Sequence, residues 1–195
     1  SKEISSNLIK VNKANVSEEM RSAFLSEYKT IQDFTIQPVG VNPDMMWTRD
    51  AFTGMCPYID LLHTFCLDAT GAQISFAAPL TFNGRIPEGT LVYNDLFTIY
   101  PFENQLYTLK MTGRQLLGHL ELSYDNWINR AGPTYNFDSA MGIDYKVVKS
   151  NKFGERVQIS ALSDGTQFSL DDEYIVAMNS YRAIGGGDLL RDGAG

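Results

Sequence analysis

Histidine, cysteine and basic charge are the scarce ingredients of this chain. It holds two histidines, whereas a hydrolytic two-metal centre gathers roughly six to eight His, Asp and Asn ligands, so no such centre is expected within it. Asp60 and His63 lie one helical turn apart with nothing nearby to complete a site, and His63 and His119 both read as packed helix side chains. Cys56 and Cys66 are a single pair, too few for a disulfide framework and without zinc spacing, so cysteine does not reveal a compartment. With 16 Lys and Arg against 23 Asp and Glu, a net charge of −7 and no basic cluster, the chain is poorly suited to gripping the phosphates of a nucleic-acid polymer. No apolar run approaches the ~20 residues of a bilayer span, and the opening SKEISSNLIK has no signal-peptide core. A Gly-x-Ser-x-Gly elbow and a P-loop are missing, and neither cysteine has a histidine placed by sequence to activate it. Asp171-Asp172 falls in a turn, where solvated acids are common.

What is present suits one well-buried core: 195 residues, 44% of them hydrophobic. Residues 1–15 read as a polar leading segment or linker and residues 16–195 as a single domain. A start on Ser1 and an end at Asp192-Gly193-Ala194-Gly195 suggest an excised domain. A helix is expected from Ser17, whose hydroxyl can cap it, with Met20, Phe24, Leu25 and Tyr28 at helical spacing. A strand is expected from Phe34 to Val41, and a helix from Pro57 through Asp68, closed by Gly71. Thr112-Gly-Arg-Gln115 is a capping box that starts a helix over residues 113–128. That helix buries Leu116, Leu117, Leu120 and Tyr124, with Gly118 allowing close packing. Beyond it the chain reads as β: Met141–Val148, Arg156–Leu162 and Glu173–Asn179, with turns between. Helices early and strands late point to an α/β domain of mixed layers.

Two stretches stand out. Ile74 to Gly113 begins as an apolar strand, breaks at Pro79 into a loop carrying Arg85, and returns through Ile99-Tyr100-Pro101-Phe102 to an alternating strand. Met178 to Asp188 is a strand that delivers Tyr181 to its end, followed by Gly185, Gly186 and Gly187, where the backbone can take positive φ or approach a ligand closely. Phe102 and Tyr181, each at a strand end, can hold a planar base between them, a stack being worth roughly 1–3 kcal/mol per base. Stacking needs no positive charge, so the acidic composition is no objection.

At these residues the chain resembles the C-terminal domain of the 5′-nucleotidase family, which also includes UDP-sugar hydrolases and 2′,3′-cyclic-nucleotide phosphodiesterases. The likeness runs from about Arg49 to Asp188. It rests on the Ile74-Ser75 strand running into the arginine loop, the Gly89 turn, Tyr-Pro-Phe-x-Asn at Tyr100 to Asn104, and Leu109-Lys-Met-Thr-Gly113. The Ser139-Ala-Met-Gly-Ile143 strand and the Tyr181 to Gly187 loop complete the set. The resemblance implies an α+β domain, a mixed sheet layered with flanking helices, that supplies the pocket for base and ribose. It also implies an N-terminal metallophosphatase domain, absent from this chain, that holds two divalent metal ions; no cofactor is implied in the chain itself.

By that resemblance the stacking aromatics fall on Phe102 and Tyr181, the substrate-holding arginines on Arg85 and Arg49, and the glycine pair of the second loop on Gly185 and Gly186. The family's ribose-binding aspartate directly follows that pair, whereas here Gly187 intervenes before Asp188. Leu80 stands where the commoner N-x-G-G-I-R pattern has asparagine. Ala77-Ala-Pro79 leading to Arg85, and Tyr181-Arg-Ala-x-Gly-Gly, both look more like the cyclic-phosphodiesterase branch. The expected ligand is a small nucleotide or nucleoside, and the expected location, by resemblance, is periplasmic, cell-surface or secreted. Three readings follow: a recognition domain of a nucleotide hydrolase, 5′-nucleotidase or cyclic phosphodiesterase; a stand-alone module for nucleosides or nucleotide sugars; or an enzyme using acid–base groups that no motif reveals.

Overall fold

A computed structural model describes residues 3–8, 16–129 and 133–190. Of the leading segment expected over residues 1–15, residues 3–8 are exposed and without regular structure. The remainder of it, and the closing residues 191–195, lie outside the described residues.

Helix α1 (Glu18–Ala23) starts where Ser17 Oγ accepts from the Met20 amide at 3.3 Å, and α2 (Leu25–Thr35) follows it directly. Neither helix buries a residue: Met20, Phe24, Leu25 and Tyr28 have the expected spacing but face solvent. The Phe34 ring, expected in a strand, instead ends α2 packed on Tyr93 at 4.3 Å between centroids. Strand β1 therefore begins only at Pro38 and runs to Asn42. A two-residue strand β2 (Met46–Trp47) leads into a 3-10 turn over Thr48–Phe52. Pro57 then opens α3 (Pro57–Thr70), which Gly71 ends at φ 66, the left-handed conformation that glycine adopts without strain.

Strand β3 (Ile74–Ala77) precedes the arginine loop, which contributes β4 (Arg85–Ile86) and β5 (Gly89–Val92). A short helix that the sequence does not announce, α4 (Leu96–Ile99), comes before β6 (Leu106–Thr112). The capping box is formed as expected: the Gln115 amide donates to Thr112 Oγ1 at 3.3 Å and the Thr112 amide to Gln115 Oε1 at 2.8 Å. It starts α5 (Gly113–Ile128). The strand expected over Met141–Val148 is two, β7 (Ser139–Met141) and β8 (Ile143–Val147), parted by Gly142 at φ 98, where a Cβ would collide with the Gln73 carbonyl. Strands β9 (Val157–Leu162) and β10 (Glu173–Asn179) precede a single helical turn, α6 (Ser180–Ala183).

Four strands form the central mixed sheet in the order β6-β10-β3-β7, with β10 parallel to β3 and antiparallel to β6. Three two-stranded ribbons, β1-β5, β2-β4 and β8-β9, surround it. Alternation along β3 assigns the two faces. Ile74 and Phe76 join Leu116 and Leu120 of α5 in the larger core cluster, whereas Ser75 turns to α3 and meets His63. The sheet is thus layered between α5 and α3, and a second cluster of Tyr58, Ile59, Leu62, Ile86 and Ile99 packs under α3. Gly118 does not serve close packing, because a Cβ there would meet nothing within 4 Å.

Candidate functional site

Because Leu106 lies opposite Asn179 in the antiparallel β6-β10 pair, the loop entering β6 and the helix leaving β10 meet at one end of the sheet. Polar contacts bind them there. The Ser180 amide donates to the Gln105 carbonyl at 2.7 Å and Ser180 Oγ to Asn104 Oδ1 at 3.2 Å. Tyr100 Oη accepts from Asn104 Nδ2 at 3.0 Å and from Asn179 Nδ2 at 3.2 Å. Phe102 and Tyr181, far apart in sequence, consequently share this end, 49% and 39% exposed. A third ring joins them. Tyr135, from a 3-10 turn over Thr134–Asn136, lies edge-on to Phe102 (centroids 6.4 Å, 76°) and to Tyr181 (6.1 Å, 86°). On its other flank Phe102 borders a largely apolar cavity of about 460 Å³ that Leu62, Phe76, Leu80, Ile99 and Tyr100 help to line. A larger cavity of about 590 Å³, beneath residues 51–55 and against β7 and β8, includes none of the residues expected to bind substrate.

The rings rest on a buried ionic knot. Helix α6 starts with the Arg182 amide donating to Asn179 Oδ1 at 2.9 Å, which turns the Arg182 side chain inward to 3% exposure. Its guanidinium donates to the carbonyls of Gly186 and Tyr135, the latter at 2.7 Å, and to Asp138 Oδ1 at 2.9 Å. Its Nε lies 2.7 Å from Asp138 Oδ2, in ion-pair contact but without hydrogen-bond alignment. Burial alone would push the Asp138 carboxyl up; the charge of Arg182 and the hydrogen bond from His119 outweigh that and hold it below the usual range. An ionised carboxylate only accepts, so His119 Nε2, 2.7 Å from Asp138 Oδ2, is the donor there. The His119 ring stacks flat on Phe76, 4.1 Å between centroids and 3° between planes.

The glycine loop closes over this knot. Gly185 sits at φ 92 and Gly187 at φ 75. A Cβ on Gly186 would come within 2.6 Å of the Tyr181 ring, and one on Gly187 would run into Arg182 and Asn136. Asp188, at φ 57, donates its amide to the Gly185 carbonyl at 3.1 Å.

The two candidate arginines sit apart from the rings. Trp47 and Arg85 are partners in the β2-β4 ribbon. Arg85 Nε donates to Met45 Sδ at 3.0 Å, while the Arg49 guanidinium lies 4.4 Å over the Trp47 ring and 4.0 Å from Asp50. Both arginines are exposed, and their polar and ring contacts are to Met45, Trp47 and Asp50, none of them part of the three-ring group.

His63 is wholly buried, with Nδ1 2.7 Å from Ser75 Oγ and Nε2 3.0 Å from Ser139 Oγ. Ser139 donates its own proton to the Ala77 carbonyl, so it accepts from Nε2–H, and Nδ1 accepts from Ser75. Burial pushes the imidazole down to about 4, opposed in part by the Asp138 charge, so the ring is neutral. Neither histidine is the simple packed side chain expected from sequence, since each is fixed in a polar network. Sequence reasoning passes over Tyr135, Asp138 and the inward turn of Arg182. The one available signal was Asp138 itself, an acid entering the small, buried strand Ser139-Ala140, which needs a cation from elsewhere.

The model of the family described as 5′-nucleotidase, C-terminal domain, matches residues 38–191. The trifunctional nucleotide phosphoesterase protein YfkN of Bacillus subtilis is 31% identical over 123 residues, covering 61% of this chain and 8% of that protein. The 2′,3′-cyclic-nucleotide 2′-phosphodiesterase/3′-nucleotidase of Salmonella typhimurium is 24% identical over 208 residues, covering 83% of this chain and 32% of the relative. Among solved structures, the 5′-nucleotidase precursor of Thermus thermophilus superposes with a TM-score of 0.67 at 20% identity, covering 89% of this chain and 36% of that one. The chain thus spans about a third or less of each of these proteins, and its α+β fold, a mixed sheet with flanking helices, is that of the Thermus domain. On its sequence match and its fold alike, this chain belongs to the family of 5′-nucleotidase C-terminal domains.

Proposed function

We propose that this domain holds the base and ribose of a nucleotide whose phosphate ester is hydrolysed by a metallophosphatase domain elsewhere in the parent chain. The observation that carries the reading is the meeting of Phe102 and Tyr181, both half-exposed, at one end of the sheet beside a loop of glycines. The two rings stack the base. The backbone at Gly185 and Gly186 approaches the sugar, Asp188 takes a ribose hydroxyl, and Arg85 and Arg49 serve the anionic part of the substrate from the β2-β4 ribbon.

Two divalent ions, which would polarise the phosphate and activate water, belong to the other domain. The residues here do not fit them: His63 is locked between two serines, His119 is spent on Asp138, and no group of three His, Cys, Asp or Glu gathers among the described residues. The Salmonella relative's name, together with the Tyr181-Arg182-Ala183 pattern, favours a 2′,3′-cyclic nucleotide over a 5′-monophosphate. Export of the parent protein accords with the precursor status of the Thermus neighbour. No helix among the described residues is long and apolar enough to cross a membrane.

The reading is tested in the full-length parent enzyme. Phe102→Ala and Tyr181→Ala are each expected to raise KM about 5- to 150-fold, with kcat nearly unchanged, because the stacking lost is common to ground and transition states. Wild-type KM in both variants would refute it. Micromolar binding of adenosine or UDP-glucose by this chain alone, measured by calorimetry, would point instead to a self-sufficient binding module.

A further inference from the structure

We infer that Tyr135 is a built-in competitor for the base, a ring that must leave its contacts with Phe102 and Tyr181 before a planar heterocycle can lie against both. The inference rests on the reading that those two residues stack a base, and it adds the residue that sets how tightly they do so.

Three observations carry it. Tyr135 makes edge contacts with both rings at once, at 6.4 Å and 6.1 Å between centroids. Its backbone is anchored: the carbonyl accepts from the buried Arg182 guanidinium at 2.7 Å, and the turn around it is closed by Asn136 N–H to Pro133 O at 3.0 Å and Phe137 N–H to Thr134 O at 3.1 Å. Its side chain, in contrast, is 38% exposed and its hydroxyl makes no hydrogen bond among the described residues. The ring can therefore swing about its side-chain torsions while its Cα stays in place, giving up the two edge contacts and no side-chain hydrogen bond. Rotamer exchange of an exposed side chain is fast, on the order of picoseconds to nanoseconds, so the device limits affinity and not the rate of entry.

The consequence is arithmetic. A ligand that binds only when Tyr135 is out has its affinity reduced by the fraction of time the ring is out, whichever base it carries. Edge-on aromatic pairs of this kind are worth enough that two of them hold the ring in by roughly 5- to 150-fold. Tyr135 thus sets the level of affinity without choosing among bases, which keeps a hydrolase from being held by its own nucleoside product.

The test is an NMR titration of this chain with adenosine and with uridine, on wild type, Tyr135→Ala, Tyr135→Phe and Phe102→Ala. Tyr135→Ala is expected to tighten both nucleosides by the same factor, about 5- to 150-fold. Tyr135→Phe, which keeps the ring, is expected to match wild type, and Phe102→Ala to bind more weakly. In wild type, the Overhauser contacts from the Tyr135 ring to Phe102 and Tyr181 should fade as adenosine is added, a readout that needs no variant. A purely structural role for Tyr135 would not raise affinity. If Tyr135→Ala binds equally or more weakly while Phe102→Ala loses affinity, the competitor role is overturned and the base site stands. If Phe102→Ala binds like wild type, or if neither wild type nor Tyr135→Ala binds, both readings fall.

Discussion

Replacing Arg182 by glutamine should be the most damaging single polar change in the molecule. The guanidinium, 3% exposed, is the counter-charge of an equally buried Asp138 and holds the Tyr135 and Gly186 carbonyls. Glutamine reaches less far and carries no charge, so Asp138 keeps its desolvation and loses its cation. Breaking a buried pair from one side costs about 3–5 kcal/mol. In a domain of this size each kcal/mol lowers Tm by about 2–4 °C, so the loss corresponds to roughly 6–20 °C. Urea and thermal unfolding followed by circular dichroism, with the midpoint slope checked for two-state behaviour, give the number. The double variant Asp138→Asn/Arg182→Gln removes the stranded charge and should be less unstable than the two single losses combined, by at least about 1 kcal/mol. A loss below about 1 kcal/mol in Arg182→Gln, or strict additivity in the double variant, would show that the knot is not what holds this end of the sheet.

Acid should destabilise the fold in a defined window. Burial holds His63 at about 4, below its unfolded 6.5, so the folded state binds fewer protons between those values and stability falls as pH drops through them. The full loss approaches about 3 kcal/mol near pH 4, and the depressed Asp138 carboxyl adds a further loss at lower pH. His63→Asn, which has no titrating proton, should flatten the slope of stability between pH 4 and 6.5; an unchanged slope would assign the effect elsewhere. Two glycines should respond in opposite directions. Gly118→Ala, in the middle of α5 with open space around it, should stabilise by about 0.4–1 kcal/mol. Gly187→Ala, at φ 75 and pressed on Arg182 and Asn136, should destabilise by more than about 1 kcal/mol; paired melting curves decide both.

Local chemistry made much of the fold legible from sequence. Pro57 and Gly71 bracket α3, Thr112 and Gln115 start α5, and the alternation of Glu173–Asn179 marks β10, because each signal acts within a few residues. The failures came where a distant partner overrode local preference. Phe34 stays helical because Tyr93 receives its ring, and Gly142 splits a strand because the Gln73 carbonyl crowds it. Within the candidate site, the two end rings were visible because each adjoins a recognisable strand, Phe102 ahead of β6 and Tyr181 after β10. Tyr135 was not, since its neighbours in sequence carry no period, and its place is set by Arg182, 47 residues further along the chain.

That dependence also explains why an acidic chain can build such a site. The positive charge at its centre, Arg182, is consumed internally by Asp138 and by two carbonyls, so it contributes position and not attraction. What faces solvent there is aromatic surface and glycine backbone, whose attraction for a base does not scale with net charge. The exposed guanidiniums stand apart on the Trp47 ribbon. On the reading proposed above, such an arrangement suits a molecule that is flat at one end and anionic at the other.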